Sequence, residues 1–206
     1  MATPEDREAH WDSAYRSRGA EGVSWFQVDS VMSLEMIWEL RIDQTTAVID
    51  VGGGASSLAD RLLTEGFVDV SVLDLSDVAL DEGRQRLGTK GCAAWLHEDV
   101  LRWRPSRRFG LWHDRAVFHF LTDEADRTSY LTTLAEALEP DAGLVIATFA
   151  EDGPEHCSGL SVARYSAQDL SDVLGTRFTV VAQRREIHRT PAGMVQPFTW
   201  VAGTWH

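Results

Sequence analysis

The sequence is poor in several things, and each scarcity narrows what the chain can be. Only two cysteines, Cys92 and Cys157, occur in 206 residues. No disulfide framework holds such a fold, and two cysteines with scattered histidines do not make a zinc site. Positive charge is scarce as well. The 19 Lys and Arg stand against 32 Asp and Glu, for a net charge of −13. A long basic face for a phosphate backbone is therefore not expected, and neither is nucleic acid as a partner. The local cluster Arg102, Arg104, Arg107 and Arg108 reads as a solvated loop rim. No apolar run approaches the ~18 residues that a membrane helix needs. Met1–Glu8 is polar and acidic, unlike a signal or transit peptide. Internal repeats and low-complexity tracts are missing too. These absences predict a cytoplasmic chain with no membrane partner.

What is present suffices for one core. Hydrophobic residues make up 44% of the chain, and 206 residues fit a single domain spanning 1–206. Two helices are expected first, over Pro4–Arg18 and Ser30–Leu40. Short apolar strands follow at Ala47–Val51, Val68–Asp74, Ala93–His97, Leu111–His113 and Leu144–Phe149. Helical patterns separate them, beginning at Leu58, over Asp77–Leu87 and over Ala125–Leu138. This alternation predicts an α/β fold with a doubly wound, mainly parallel sheet and helices on both faces. After one more helix, Ser166–Leu174, the pattern changes. Phe178–His188 and Pro197–Trp205 are joined by a turn around Thr190–Gly193. So short a link makes the pair antiparallel, because parallel strands need a crossover of a dozen residues or more.

The run Val48-Ile49-Asp50-Val51-Gly52-Gly53-Gly54-Ala55-Ser56-Ser57 carries the most information. It reads as strand, tight turn and helix start. Glycines there let backbone approach a ligand, and the helix N-terminus offers free N–H groups. Asp74 ends the second strand, 24 residues after Asp50. At that spacing an acid reaches a ribose hydroxyl pair. A dinucleotide fingerprint wants a third glycine where this chain has Ser57.

Asp50-x-Gly52-x-Gly54 with Asp74 resembles the first motifs of the class I S-adenosylmethionine-dependent methyltransferases, from about Val48 onward. The resemblance implies a Rossmann-like seven-stranded sheet with an antiparallel C-terminal strand. It implies S-adenosyl-L-methionine as cofactor, with Asp50, Gly52, Gly53 and Gly54 at its methionine part and Asp74 and Leu75 at its ribose. Asp99 would meet the adenine amino group, or else cap the turn before Leu101. Val100 and Leu101 would flank the ring. Asp114 would hold the cofactor's amino group, or pair with Arg115. His10-Trp11-x-x-x-Tyr15 and Val23–Gln27 resemble the opening of a subgroup that includes protein lysine methyltransferases and small-molecule enzymes. There, residues 1–42 would cover the cofactor mouth, with Trp25 and Gln27 on the cofactor and Tyr15 and Phe26 on the acceptor side. The bland alternative is that Trp11 and Trp25 only anchor the helices.

Trp112–Leu121 follows the end of the fourth strand, where ligands lie in open parallel sheets. His119 is the candidate general base, because histidine titrates near working pH. Alternatively it is a hydrogen-bonded buried histidine. His113 is expected to point away from the site. The loop over 150–166 is a candidate acceptor-side segment. Arg115, Arg164 and Tyr165 are the candidate acceptor-pocket residues beside it. Methyl transfer to a thiol or amine of a small molecule is the expected activity. A lysine of a basic protein is the alternative acceptor. A nicotinamide oxidoreductase and a non-catalytic binding module are the remaining readings.

Overall fold

The computed structural model describes residues 3–206. The chain opens with α1 (Pro4–Arg18), started by a reciprocal Thr3–Asp6 capping box and by Pro4 in its first turn. Next come α2 (Val31–Glu39), β1 (Val48–Val51), α3 (Leu58–Thr64), β2 (Val70–Asp74), α4 (Asp77–Leu87), β3 (Ala94–His97) and β4 (Phe109–Arg115). Then follow α5 (Glu124–Ala137), β5 (Leu138–Phe149), a two-residue hairpin of β6 (His156–Cys157) and β7 (Leu160–Ser161), α6 (Ala167–Leu174), β8 (Phe178–Arg189) and β9 (Val195–Trp205). The expected elements are present, with ends displaced by a few residues. The largest displacement is at β5, which begins six residues before the expected Leu144.

Seven strands form one sheet in the order β3-β2-β1-β4-β5-β9-β8. β1 through β5 pair in parallel. β9 runs antiparallel to both β5 and β8, so it is the one reversed strand. It inserts between them instead of forming the edge. The central strands read as continuous apolar runs because both faces are covered. One core layer packs Trp112, Tyr130, Leu134 and Leu170 against the sheet. The other packs Leu34, Ile37, Leu58, Leu62 and Trp200.

The order of the sheet changes direction at β1. The chain runs outward through β2 and β3, then returns to place β4 on the other side of β1. A crevice opens beyond the C-terminal ends of the strands at such a switch point. The register fixes which side chains meet there. Asp50 of β1 lies opposite His113 of β4, and Val51 opposite Asp114.

Candidate functional site

Two adjoining cavities occupy the crevice. The larger is lined by Asp74, Leu75, Asp99, Val100 and Leu101 at one end, and by Val117, Phe120, Leu121, Phe149, Cys157 and Phe198 at the other. The smaller lies over Gly52 and Gly53, with Asp50, His113, Phe26 and Gln27 in its walls. Tyr15, Trp25, Gly52 and Arg115 belong to both.

The glycine turn between β1 and α3 is shaped by what lies beneath it. Gly52 has φ of +69°, and a Cβ there would overlap a Val117 methyl group. At Gly54 a Cβ would sit 2.7 Å from Asp74 Oδ2 and 2.9 Å from Ala79 Cβ. A side chain at Gly52 would intrude on the crevice wall, and one at Gly54 would collide with Asp74 and α4. Gly83 on α4, which the sequence reading missed, supports the turn from below. A Cβ at Gly83 would lie 2.6 Å from the Gly54 carbonyl oxygen.

Asp74 ends β2 in the larger cavity. Its Oδ1 accepts the Ser76 N–H at 2.8 Å. Burial above all raises its pKa to about 7, and the Asp50 charge adds to the effect. Asp99 sits at the far end. Its Oδ1 caps Leu101 N–H at 3.0 Å and its Oδ2 accepts from Arg7 at 2.6 Å. The capping alternative is thus realised, while the residue still lines the cavity.

α1 closes this end from outside. Besides the Arg7–Asp99 pair, His97 lies 3.2 Å from Glu8, and Ser76 donates to Asp12 at 2.7 Å. Trp11 packs edge-on to Trp25 and Phe120, and Trp25 donates to the Tyr15 hydroxyl at 3.1 Å. The N-terminal aromatics therefore wall the crevice as well as anchoring the helices. Phe26 and Gln27 reach only the smaller cavity, where the Gln27 amide donates to Glu186 at 2.7 Å.

Three expectations at the end of β4 are corrected. His113 faces the site, not away from it. Its Nδ1 is 2.7 Å from Asp50 Oδ1, and among the described residues its Nε2 and Asp50 Oδ2 have no partner. Asp114 is fully buried and pairs with neither Arg115 nor the cavity. It accepts the Val117 N–H at 2.8 Å, the Phe118 N–H at 3.1 Å and the Tyr130 hydroxyl at 2.6 Å. Those bonds hold the turn after β4, although burial lifts its pKa to about 6. His119 lines neither cavity and is fully buried against Phe120 and Phe149. Its Nδ1 accepts the Phe149 N–H at 3.2 Å. Burial first, then the Arg115 charge, push its pKa down to about 3. A base for the crevice cannot act from there.

Arg115 remains. Its side chain is 10% exposed. Nη1 donates to the Trp25 carbonyl at 3.0 Å, and the guanidinium lies 4.5 Å over the Phe198 ring. Glu186 stands 3.9 Å from Nε.

The loop after β5 contributes less than expected. Cys157 reaches the larger cavity, its thiol pushed up to about 11 by burial. Arg164 instead donates to the Gly153 carbonyl and to Glu155, outside the cavities. Tyr165 is buried in the core against Phe118. The arginine cluster at 102, 104, 107 and 108 is exposed, as expected. Among the described residues no cluster of metal ligands occurs, and no helix is long and apolar enough to cross a membrane.

Residues 48–141 match the family model of a methyltransferase domain. No curated protein matches the chain. Several solved structures share its fold. A SAM-dependent methyltransferase from Anabaena variabilis superposes with a TM-score of 0.77 at 14% identity, covering 100% of this chain and 96% of that one. A structure from work on the conversion of a disulfide bond into a thioacetal group during echinomycin biosynthesis gives 0.77 at 19% identity, covering 96% and 92%. The Burkholderia thailandensis 1,6-didemethyltoxoflavin-N1-methyltransferase, with S-adenosylhomocysteine bound, gives 0.68 at 20% identity, covering 100% and 91%. At such identities the superpositions speak for the fold. The family-model match covers the segment that builds the glycine turn, Asp74 and Asp99. The chain therefore carries a segment similar to a methyltransferase domain, set in a fold that it shares with S-adenosylmethionine-dependent methyltransferases.

Proposed function

We propose that this protein uses S-adenosyl-L-methionine to methylate a heteroatom, thiol or amine, of a small molecule. One observation carries the reading. Gly52 and Gly53 line the crevice between Asp74 on one side and the Asp50–His113 pair on the other. Unpartnered Asp50 Oδ2 and His113 Nε2 at that spot suit the polar amino-acid end of the cofactor.

In this reading Asp74 accepts the two ribose hydroxyls. Leu75, Val100 and Leu101 pack on the adenine, and Asp99 accepts its amino group with lone pairs left after Arg7 and Leu101. Gly52, Gly53 and Gly54 lie against the methionine part. S-adenosylmethionine, when bound, supplies an electrophilic methyl group on a sulfonium sulfur. The protein's own contribution is placement and dryness. Orientation alone is worth ~7–11 kcal/mol. Residues 3–42 act as the cover, with Tyr15 and Trp25 pressed over both cavities and α1 latched through Arg7 and Asp12. The acceptor enters at the end lined by Val117, Phe120, Phe149, Cys157 and Phe198, with residues 150–166 forming one rim. That end holds no carboxylate, and its cysteine is protonated near neutrality. The acceptor must therefore present its own free lone pair. This favours a small nucleophile over a protein lysine, whose ammonium would meet Arg115.

The test is incubation with methyl-labelled cofactor, separately with small metabolites and with protein fractions, read by mass spectrometry. Label in a small molecule supports the reading. Label confined to protein would favour the lysine alternative.

A further inference from the structure

Arg115 poses a problem that the cofactor reading leaves open. A buried guanidinium is costly unless its N–H groups are paired. Here only Nη1 is satisfied, by the Trp25 carbonyl. Nε and Nη2 are buried and have no hydrogen-bond partner among the described residues. The nearest carboxylate does not resolve this. Glu186 is 3.9 Å away, and its two oxygens already accept from Gln27 at 2.7 Å and from Trp200 at 2.9 Å. Asp50 Oδ1 is held by His113, and Asp50 makes no ion pair with Arg115.

The position of the guanidinium indicates what it serves. It lies on the face of Phe198, which lines the larger cavity and not the smaller one. Phe149, Phe120 and Cys157 complete that wall. Arg115 lines both cavities, and its guanidinium rests on the Phe198 wall of the larger one, at an end that is otherwise apolar and largely aromatic, with two buried donors unspent. Polar groups for a zwitterionic tail are available elsewhere, at Asp50 and His113 in the smaller cavity.

The geometry points to an acceptor that is a small organic anion with an apolar or aromatic body, its negative group seated on Nε and Nη2 of Arg115. The inference rests on the methyltransferase reading, and narrows its acceptor class. It also reverses a suggestion of the overall charge. A net charge of −13 by itself favours cationic or neutral ligands. At the acceptor wall, however, the charged group lining the cavity is Arg115, while Glu186, 3.9 Å from it, lines neither cavity, and a nearby group outweighs distant screened ones.

The test uses the full chain saturated with S-adenosylhomocysteine and three probes of one shape: 2-naphthoate, 2-naphthamide and 2-naphthylmethylammonium. Calorimetry should show naphthoate binding at least tenfold tighter than the amide and the ammonium probe excluded. Arg115→Gln should abolish that preference, and Arg115→Lys should retain part of it. Because the preference is read first in the unmutated protein, a misfolded variant does not spare the proposal. Equal affinity for naphthoate and naphthamide, or no binding of either, overturns it. So does a tenfold loss of S-adenosylhomocysteine affinity in Arg115→Gln with methylthioadenosine affinity unchanged, which would give Arg115 to the cofactor's own carboxylate. Failure of the unmutated protein to bind S-adenosylhomocysteine would instead remove the underlying cofactor reading.

Discussion

Asp74→Asn should make the cofactor-free protein more stable and the site worse. The carboxylate is raised from 3.8 to about 7, with burial as the first cause. At ~1.4 kcal/mol per unit this is about 4 kcal/mol of penalty for carrying the charge at pH 8. The crevice is open to water, which roughly halves it to ~2 kcal/mol. The sign follows from the raised value. The unfolded chain ionises near 4, so the penalty is absent below that pH, grows as pH rises and is complete above 7. Asparagine carries no such charge, and its oxygen can still accept the Ser76 N–H at 2.8 Å. Thermal unfolding without ligand should therefore show the variant melting about 4–8 °C higher at pH 8. The gap should narrow as pH falls toward 4. Affinity moves the other way. Replacing charge-assisted bonds to two ribose hydroxyls with neutral ones loses ~1 kcal/mol each, so S-adenosylhomocysteine binding should weaken tenfold or more. A variant that melts no higher than the parent at pH 8 and binds S-adenosylhomocysteine equally well would refute both halves of the reasoning.

Three further outcomes follow from the same geometry. Gly52→Ala meets the Val117 methyl at a φ of +69°, a backbone cost of ~1–2 kcal/mol before the overlap; calorimetry should find S-adenosylhomocysteine binding lost and the melting temperature lowered. Asp114→Ala strips the Val117 and Phe118 N–H groups and the Tyr130 hydroxyl of their acceptor; denaturant unfolding should show a loss of ~3 kcal/mol or more, whereas Asp114→Asn should lose less and still bind cofactor, an outcome that a direct cofactor contact would not give. His119→Phe should keep turnover within a few-fold, measured on whichever acceptor is labelled, against the ~10²–10⁴-fold loss expected of a positioned base.

The parts of this protein that could be read from sequence are those governed by local pattern. The glycine turn, Asp74 at its strand end and the final antiparallel pair all follow from short-range spacing, and the structure places them as expected. The errors lie where distant segments meet. Strand alternation puts His113 and Asp114 on opposite faces, so an Asp114 that faced the ligand would turn His113 away. In fact Asp114 turns down to cap Val117 and Phe118, and its neighbour faces Asp50 across the β1–β4 register. An acid three residues before the first orphan N–H of a turn is a capping signal, so this much was present in Asp114-Arg115-Ala116-Val117. His119 was misjudged for a different reason. Its burial depends on Phe149, thirty residues later, and on the Ala163 N–H that ties its carbonyl. Nothing in the local sequence announces either. Gly83 looks like an ordinary helical glycine until α4 is seen to pass beneath the Gly54 carbonyl. Arg164 and Tyr165 sat on the right loop, but that loop folds back on β5, the Tyr165 N–H donating to the Phe149 carbonyl.

The central claim is that the crevice at the β1–β4 switch holds S-adenosylmethionine. Calorimetric titration of the intact protein with S-adenosylhomocysteine tests it most directly, run at pH 8 and again at pH 6. The account predicts saturable one-to-one binding that NAD does not compete for. It also predicts weaker affinity at pH 6, because Asp74 must give up a proton to accept the ribose hydroxyls and its pKa in the free crevice is about 7. Binding of NAD with no binding of S-adenosylhomocysteine at either pH would contradict it.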